Sequence, residues 1–290
     1  MSHWRQLALG IYRRATYPYR AWHSRHLCQS GRAPIRVLIF HRIADDEANN
    51  WTTSTATFFE AVRWLKDHFE LISLVEAQRR IRAKSNCSAG VCITFDDGYE
   101  VNCHRAMPLV IKEQIPCTYF VTAQPVLEGR PFAHDQKKNR GNSRPNTVEQ
   151  LRELATAGIE IGAHSRTHPN FATIVDPGVL YDEVVAARDD LQAAIGVRIG
   201  YFAFPFGGHA NLNPAAFHLA REAGYDGVLS AYGGYNYPGD DSFHLQRRGV
   251  DGPSVRMKNW VVVDPFRQRR IPRFDYRNQA SSRLADPVGA

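Results

Sequence analysis

The chain has 290 residues, 43% hydrophobic and 22% charged, which is ample to bury a core and too ordinary for a disordered or fibrous protein. No run of 18 apolar residues is present, against a helical membrane span, and the five cysteines form no C-x-x-C pair, against a disulfide framework or a cysteine zinc site. The net charge of +7 is uneven: residues 1–36 carry +7, residues 265–290 carry +4, and the body between them carries −4, so no nucleic-acid partner is expected.

Residues 1–34 read as a basic amphipathic segment. Trp4, Leu7, Ala8, Ile11, Tyr12 and Ala15 share one helical face, and no acidic residue occurs before position 37. The apolar stretch Leu7–Tyr12 is too short for a secretory signal, which points to a cytoplasmic protein. Three fates suit such a helix: docking on the domain, peripheral membrane contact through residues 4–25, or organelle targeting.

From residue 35, short apolar runs alternate with helical periods. Strands are expected at Val37–Phe40, Leu71–Leu74, Val91–Phe95, Cys117–Val121, Ile159–Ala163, Phe202–Phe204, Gly227–Ser230 and His244–Val250. Capping-box spacing at Thr57, Ser73 and Thr147, and Asp176-Pro177, mark helix starts. Val179–Ile195 and Asn213–Ala223 have helical spacing. Seven or eight such units in residues 35–264 suit an α/β barrel of mostly parallel strands. The polar stretch 129–146 breaks the rhythm as a long loop, and 265–290 reads as a basic tail.

In a parallel barrel, the C-terminal strand ends form the active face. Those ends carry His41-Arg42, Asp96-Asp97-Gly98, His164-Ser165-Arg166-Thr167-His168 and Pro205-Phe206-Gly207, and the last strand carries Arg247 and Arg248. Asp-Asp occurs four times in the chain, so the pair alone decides nothing. Joint placement does more. Two adjacent carboxylates at one strand end are costly to bury unless a charge such as a divalent metal offsets them. His164 and His168 offer two imidazoles to one ion. Two His and one Asp leave open positions, as catalytic sites require, and the second Asp is placed to accept a proton from water.

The string Thr94-Phe95-Asp96-Asp97-Gly98-Tyr99, followed by His164-Ser165-x-x-His168, resembles the polysaccharide deacetylase family, the NodB-homology domain of carbohydrate esterase family 4. The resemblance spans roughly 35 to 250 and includes Phe40-His41-Arg42. It implies a distorted (β/α) barrel that removes acetyl groups from N-acetylated sugars with a divalent metal. It assigns the metal to Asp97, His164 and His168, and the general base to Asp96. Phe202-Ala203-Phe204-Pro205-Phe206-Gly207 is similar to the third family motif, which implies substrate contact at Pro205 and an oxyanion contact from the Phe206 N–H. Ala203 stands where that motif often has an Arg. The later motif with a histidine acid is not recognisable, and His244, in that region, is expected to face away. A subset of the family carries its histidine after the first strand and an Arg on the last, which implies His41 as the acid and Arg247 as the group holding Asp96 ionised.

Tyr99 is expected at the cleft, either lining it against substrate or packing at its rim. Trp51 and Trp260 are expected in the core rather than against sugar rings, and His209 on a loop surface. The expected activity is removal of N-acetyl groups from an amino-sugar polysaccharide or glycolipid. The alternatives are an O-acetyl esterase and a weakly active glycan-binding relative. His2Asp ligation suits zinc, with cobalt or nickel next.

Overall fold

In the computed structural model, which describes residues 3–46, 50–136, 143–265, 271 and 273–278, seven parallel strands close into a barrel. They are β1 (Arg36–Phe40), β2 (Gly90–Phe95), β3 (Cys117–Val121), β4 (Glu160–Ala163), β5 (Tyr201–Ala203), β6 (Gly227–Ser230) and β7 (His244–Gly249). Pairing runs in chain order from β2 to β7. β1 closes the ring, with Val37 opposite both Cys92 and Arg247. The barrel is pinched between β4 and β5, where only Ala163 and Phe202 pair.

Period two along the strands builds two cores. Val37, Cys92, Phe120, Tyr201, Ala203, Leu229 and Leu245 form an inner cluster, joined at the strand starts by Leu74, Ala77 and Ile81 of the helix Leu74–Arg82. Leu38, Phe40, Ile93, Phe95, Tyr119, Val121, Phe202 and Phe204 belong to the outer cluster, which also takes in the buried faces of the surrounding helices. The same alternation carries the inner side of β2 from Cys92 through Thr94 to Asp96, and that of β7 from Leu245 to Arg247. One end of the barrel is thus plugged, and the other presents the chemistry.

The expected strands are present, with one shortened. The chain pairs as a strand only at Glu70–Leu71, because Ser73 caps the next helix by accepting from the Glu76 N–H. The helix expected from Thr57 begins earlier, at Thr55, where the Ser54 hydroxyl accepts from the Thr57 N–H. Thr147 and Gln150 form the expected capping box. Asp176 caps the helix that follows it, but Asp182–Ala186 is a π-helical turn rather than regular helix. Within 129–146, the chain makes a short helix at Ala133–Gln136, and the remainder of the expected loop at 137–142 lies outside the described residues. Most of the expected basic tail, Arg269 and Arg270 included, also lies outside them.

Helix α1 (His3–Gln29) docks on the domain, though through its polar side. Arg20 is fully buried. Its guanidinium donates to the Asn259 side chain at 3.1 Å, and to the carbonyls of Asn259, Val262 and Val263. Asn259 donates back to the Leu9 carbonyl at 3.0 Å, and the Tyr12 hydroxyl donates to Asp264 at 2.7 Å. Of the apolar stripe read from the sequence, Trp4, Leu7, Ala8, Ile11 and Ala15 face solvent, while Tyr12 turns to the domain. No helix among the described residues is long and apolar enough to cross a membrane.

Candidate active site

The strand ends enclose a cavity of about 340 Å3. His41, Asp96, Asp97, His164, His168 and Phe206 line it, with Ile39, Phe204, Ala231 and Gly249 as apolar wall and Trp51, Arg248 and Arg256 towards the rim. Sequence-distant residues meet here because His41, the Asp96-Asp97 pair, the loop carrying His164 and His168, and Phe206 follow four different strands of one ring.

Asp97, His164 and His168 converge. Asp97 Oδ1 lies 3.5 Å from His164 Nε2 and 3.3 Å from His168 Nε2. All three donor atoms fall within 4.8 Å of one another. Two donors each about 2.1 Å from a tetrahedral ion stand about 3.4 Å apart, so these spacings fit a shared divalent cation. His164 Nδ1 pairs with the Ala203 carbonyl at 2.8 Å, which fixes the ring and turns Nε2 towards Asp97. Burial, partly offset by the charge of Asp96, lowers the His164 pKa to about 4, so the ring is the neutral form that a metal takes.

Backbone strain gathers at this site. Among the described residues five non-glycine positions have left-handed φ, and four of them are Asp97 (75°), Ser165 (64°), His168 (62°) and Phe206 (59°). Such conformations cost roughly 1–3 kcal/mol each and persist only where the surroundings hold them. One clamp is Glu183, in the π-helical turn. Its carboxylate accepts from the backbone N–H groups of Arg166 (2.8 Å) and Thr167 (3.0 Å) and from the Thr167 hydroxyl. The Ser165 hydroxyl in turn accepts from the His168 N–H at 3.0 Å. The π turn places an otherwise ordinary helical glutamate beneath the loop that carries both histidines.

Asp96 has a different partner. Arg247, fully buried, forks onto it with Nη1 to Oδ1 at 2.7 Å and Nη2 to Oδ2 at 2.9 Å, and Nη1 also donates to the Thr94 hydroxyl. The guanidinium lies over the Phe120 ring at 5.0 Å. Burial pushes the Asp96 pKa up, but Arg247 and then His164 outweigh it and hold the carboxyl below its ordinary value. Asp96 is therefore an ionised carboxylate beside the three donors.

His41 Nδ1 pairs with Asp251 Oδ2 at 2.8 Å, and the His41 N–H donates to Asp251 Oδ1 at 3.1 Å. Burial alone would lower the His41 pKa, but the charge and hydrogen bond of Asp251 raise it to about 9. The ring is protonated at neutral pH, a state suited to a general acid. Asp251 was not singled out by its sequence pattern, although it stands directly after the last strand run, the kind of position that carries the other chemical residues. His244 is elsewhere: it is buried, pairs with the Ser230 hydroxyl at 2.9 Å, and is lowered by burial to about 4.

Three expectations need correction or refinement. Tyr99 is not a cleft residue. It is 1% exposed, packs on Phe132, and donates its hydroxyl to Asp135 at 3.0 Å, while Asp97 lies close enough to raise its pKa further. It thus stands behind a donor residue rather than before a substrate. Pro205 is buried outside the cavity lining, and its carbonyl accepts from Gly207 N–H in a tight turn. The following Phe206 is 53% exposed, with its ring 5.0 Å from that of His168, and its N–H donates to no group among the described residues. Trp51 was expected in the core, but lines the cavity, 38% exposed and 5.1 Å from the His41 ring. Trp260 is the core residue it was expected to be, stacked on Tyr235.

Comparison with known proteins adds an independent line. A family model described as polysaccharide deacetylase matches residues 83–228, half of the chain. YxkH of Bacillus subtilis (strain 168), whose name places it among the polysaccharide deacetylases, is 28% identical over 138 residues. That match takes in 47% of this chain and 44% of YxkH, so this chain spans less than half of that relative. Among solved structures, IcaB from Ammonifex degensii superposes with a TM-score of 0.66 at 22% identity, covering 79% of this chain and 97% of that one. The deacetylase PplD of Streptococcus pyogenes, solved with acetate, gives 0.65 at 19% identity, covering 79% and 99%. At these identities the superpositions speak for the barrel.

Proposed function

Because the chain belongs to the polysaccharide deacetylase family, we propose that it is a metal-dependent hydrolase that removes N-acetyl groups from an amino-sugar polysaccharide or glycolipid. The observation that carries this reading is the pairing of two opposed groups around one three-donor cluster: Asp96 with Arg247 forked onto it, and His41 with Asp251 on its Nδ1. An amide leaves as an amine that must be protonated, which makes a His41 acid more necessary here than for an ester, whose alcohol leaves more readily.

Asp97, His164 and His168 would hold the ion, with zinc favoured and cobalt or nickel as substitutes. When bound, such an ion supplies Lewis acidity to the acetyl carbonyl and to water. The protein's own groups do the rest. Asp96 receives the proton of the attacking water. The Phe206 N–H offers a hydrogen bond to the oxygen that gains charge, a kind of contact worth about 3–4 kcal/mol. His41 gives its proton to the departing sugar nitrogen. The rings of Trp51 and Phe206 stand at the mouth, where a sugar face can stack.

Acetate and free amine should be measured across acetylated glycans with zinc, cobalt and nickel. Release from N-acetylglucosamine oligomers exceeding that from O-acetylated xylan supports the reading; the reverse order makes the protein an O-acetyl esterase, and release from neither favours a glycan-binding relative. The acid role has its own signature. Asp251→Asn removes the charge that raises His41, so the ring loses its proton at lower pH. The alkaline limb of kcat/KM should then move to lower pH while the acid limb stays. A pH–rate profile checks this, and an unmoved alkaline limb removes His41 from the role.

A further inference from the structure

We propose that α1 is a membrane-docking device: its solvent face seats the enzyme on an anionic lipid surface while its opposite face is bolted to the barrel. Trp4, Leu7, Ile11, Ala15 and Trp22 fall within roughly 80° of one another at 100° per residue. The stripe is open, with Trp4 78%, Ile11 60% and Trp22 58% exposed. The helix is not loose, because Arg20, Tyr12 and the Leu9 carbonyl fix its other side to the helix Ser254–Val261 and the residues just after it. An apolar face that is unused by a helix already docked has no folding role.

The charge pattern selects the occupant. Arg14 and Arg25 are exposed on or beside the stripe, and residues 1–36 contain no acidic side chain. A second copy meeting this face about a two-fold axis would bring arginine towards arginine with no carboxylate on the helix to offset it. An anionic bilayer offers acyl chains to the stripe and phosphates to the arginines at once. Two tryptophans with Tyr19, 47% exposed, match the amphipathic aromatics that favour the interface.

The test uses the full chain with phosphatidylcholine vesicles, with and without phosphatidylglycerol, read by co-sedimentation. Wild-type protein should pellet with the anionic vesicles at low salt, and raising the salt should weaken this. A Trp4→Ser/Ile11→Ser/Trp22→Ser variant should bind at least tenfold more weakly with an unchanged melting temperature, because no substituted side chain faces the barrel. Failure to pellet at low salt overturns the proposal, as does equal binding by the variant. So does a wild-type dimer that the variant dissociates, which would assign the face to a second copy. None of these readouts depends on metal or deacetylation.

Discussion

Asp96→Asn is expected to keep the three-donor cluster and to lose turnover by roughly 10²–10⁴-fold, the usual weight of a positioned general base. The amide keeps the shape of the carboxylate and one acceptor for Arg247, but it takes no proton at neutral pH. Zinc bound after dialysis should match wild type, since Asp97, His164 and His168 are intact. There is a stability cost. Arg247 is fully buried and loses its counter-charge, and breaking a buried ion pair by removing one partner costs about 3–5 kcal/mol. Turnover must therefore be compared well below the variant's melting temperature. Wild-type turnover in a folded, zinc-loaded Asp96→Asn protein contradicts the base assignment.

His164→Ala should abolish bound metal and activity together. The ring supplies one of three protein donors and is the best anchored of them, through the Ala203 carbonyl. Two donors remain, and His168 sits on a strained loop residue with φ of 62°. Since outer-shell changes alone cost 10–100-fold in affinity, loss of a donor should cost more than about 100-fold. Titration calorimetry with zinc reads this directly, and full occupancy in the variant would break the ligand assignment.

The barrel was legible in the sequence because parallel strands buried on both faces are near-continuous apolar runs, and Val37–Phe40, Val91–Phe95 and Cys117–Val121 are such runs. Asp96, Asp97, His41, His164 and His168 were legible too, as residues standing at or just beyond strand ends, because barrel topology sends every such end to one mouth. Arg247 was found through the family subset. The residues that stayed hidden depend on local geometry without a composition signal. Glu183 looks like any helical glutamate until a π turn places it beneath the 164–168 loop. Tyr99 follows the Asp-Asp pair closely enough to suggest the cleft, yet Gly98, with φ of 97°, turns the chain so that the ring packs inward. Trp51 follows no barrel strand closely in sequence, and only the folded connection after β1 brings it beside His41. For α1, the helical wheel identified the apolar stripe but not its direction. A buried arginine with four acceptors fixed the helix from the polar side, which the usual apolar-inward rule does not anticipate.

The central claim, metal-dependent N-deacetylation, is tested most directly by acetate release from N-acetylglucosamine oligomers, with one preparation assayed as zinc-loaded, chelator-stripped and zinc-restored protein. The loaded protein should give one free amine per acetate, lose the activity on stripping and recover it when zinc is restored. Equal release by loaded and stripped protein, or no release from a folded protein carrying zinc, would contradict the claim.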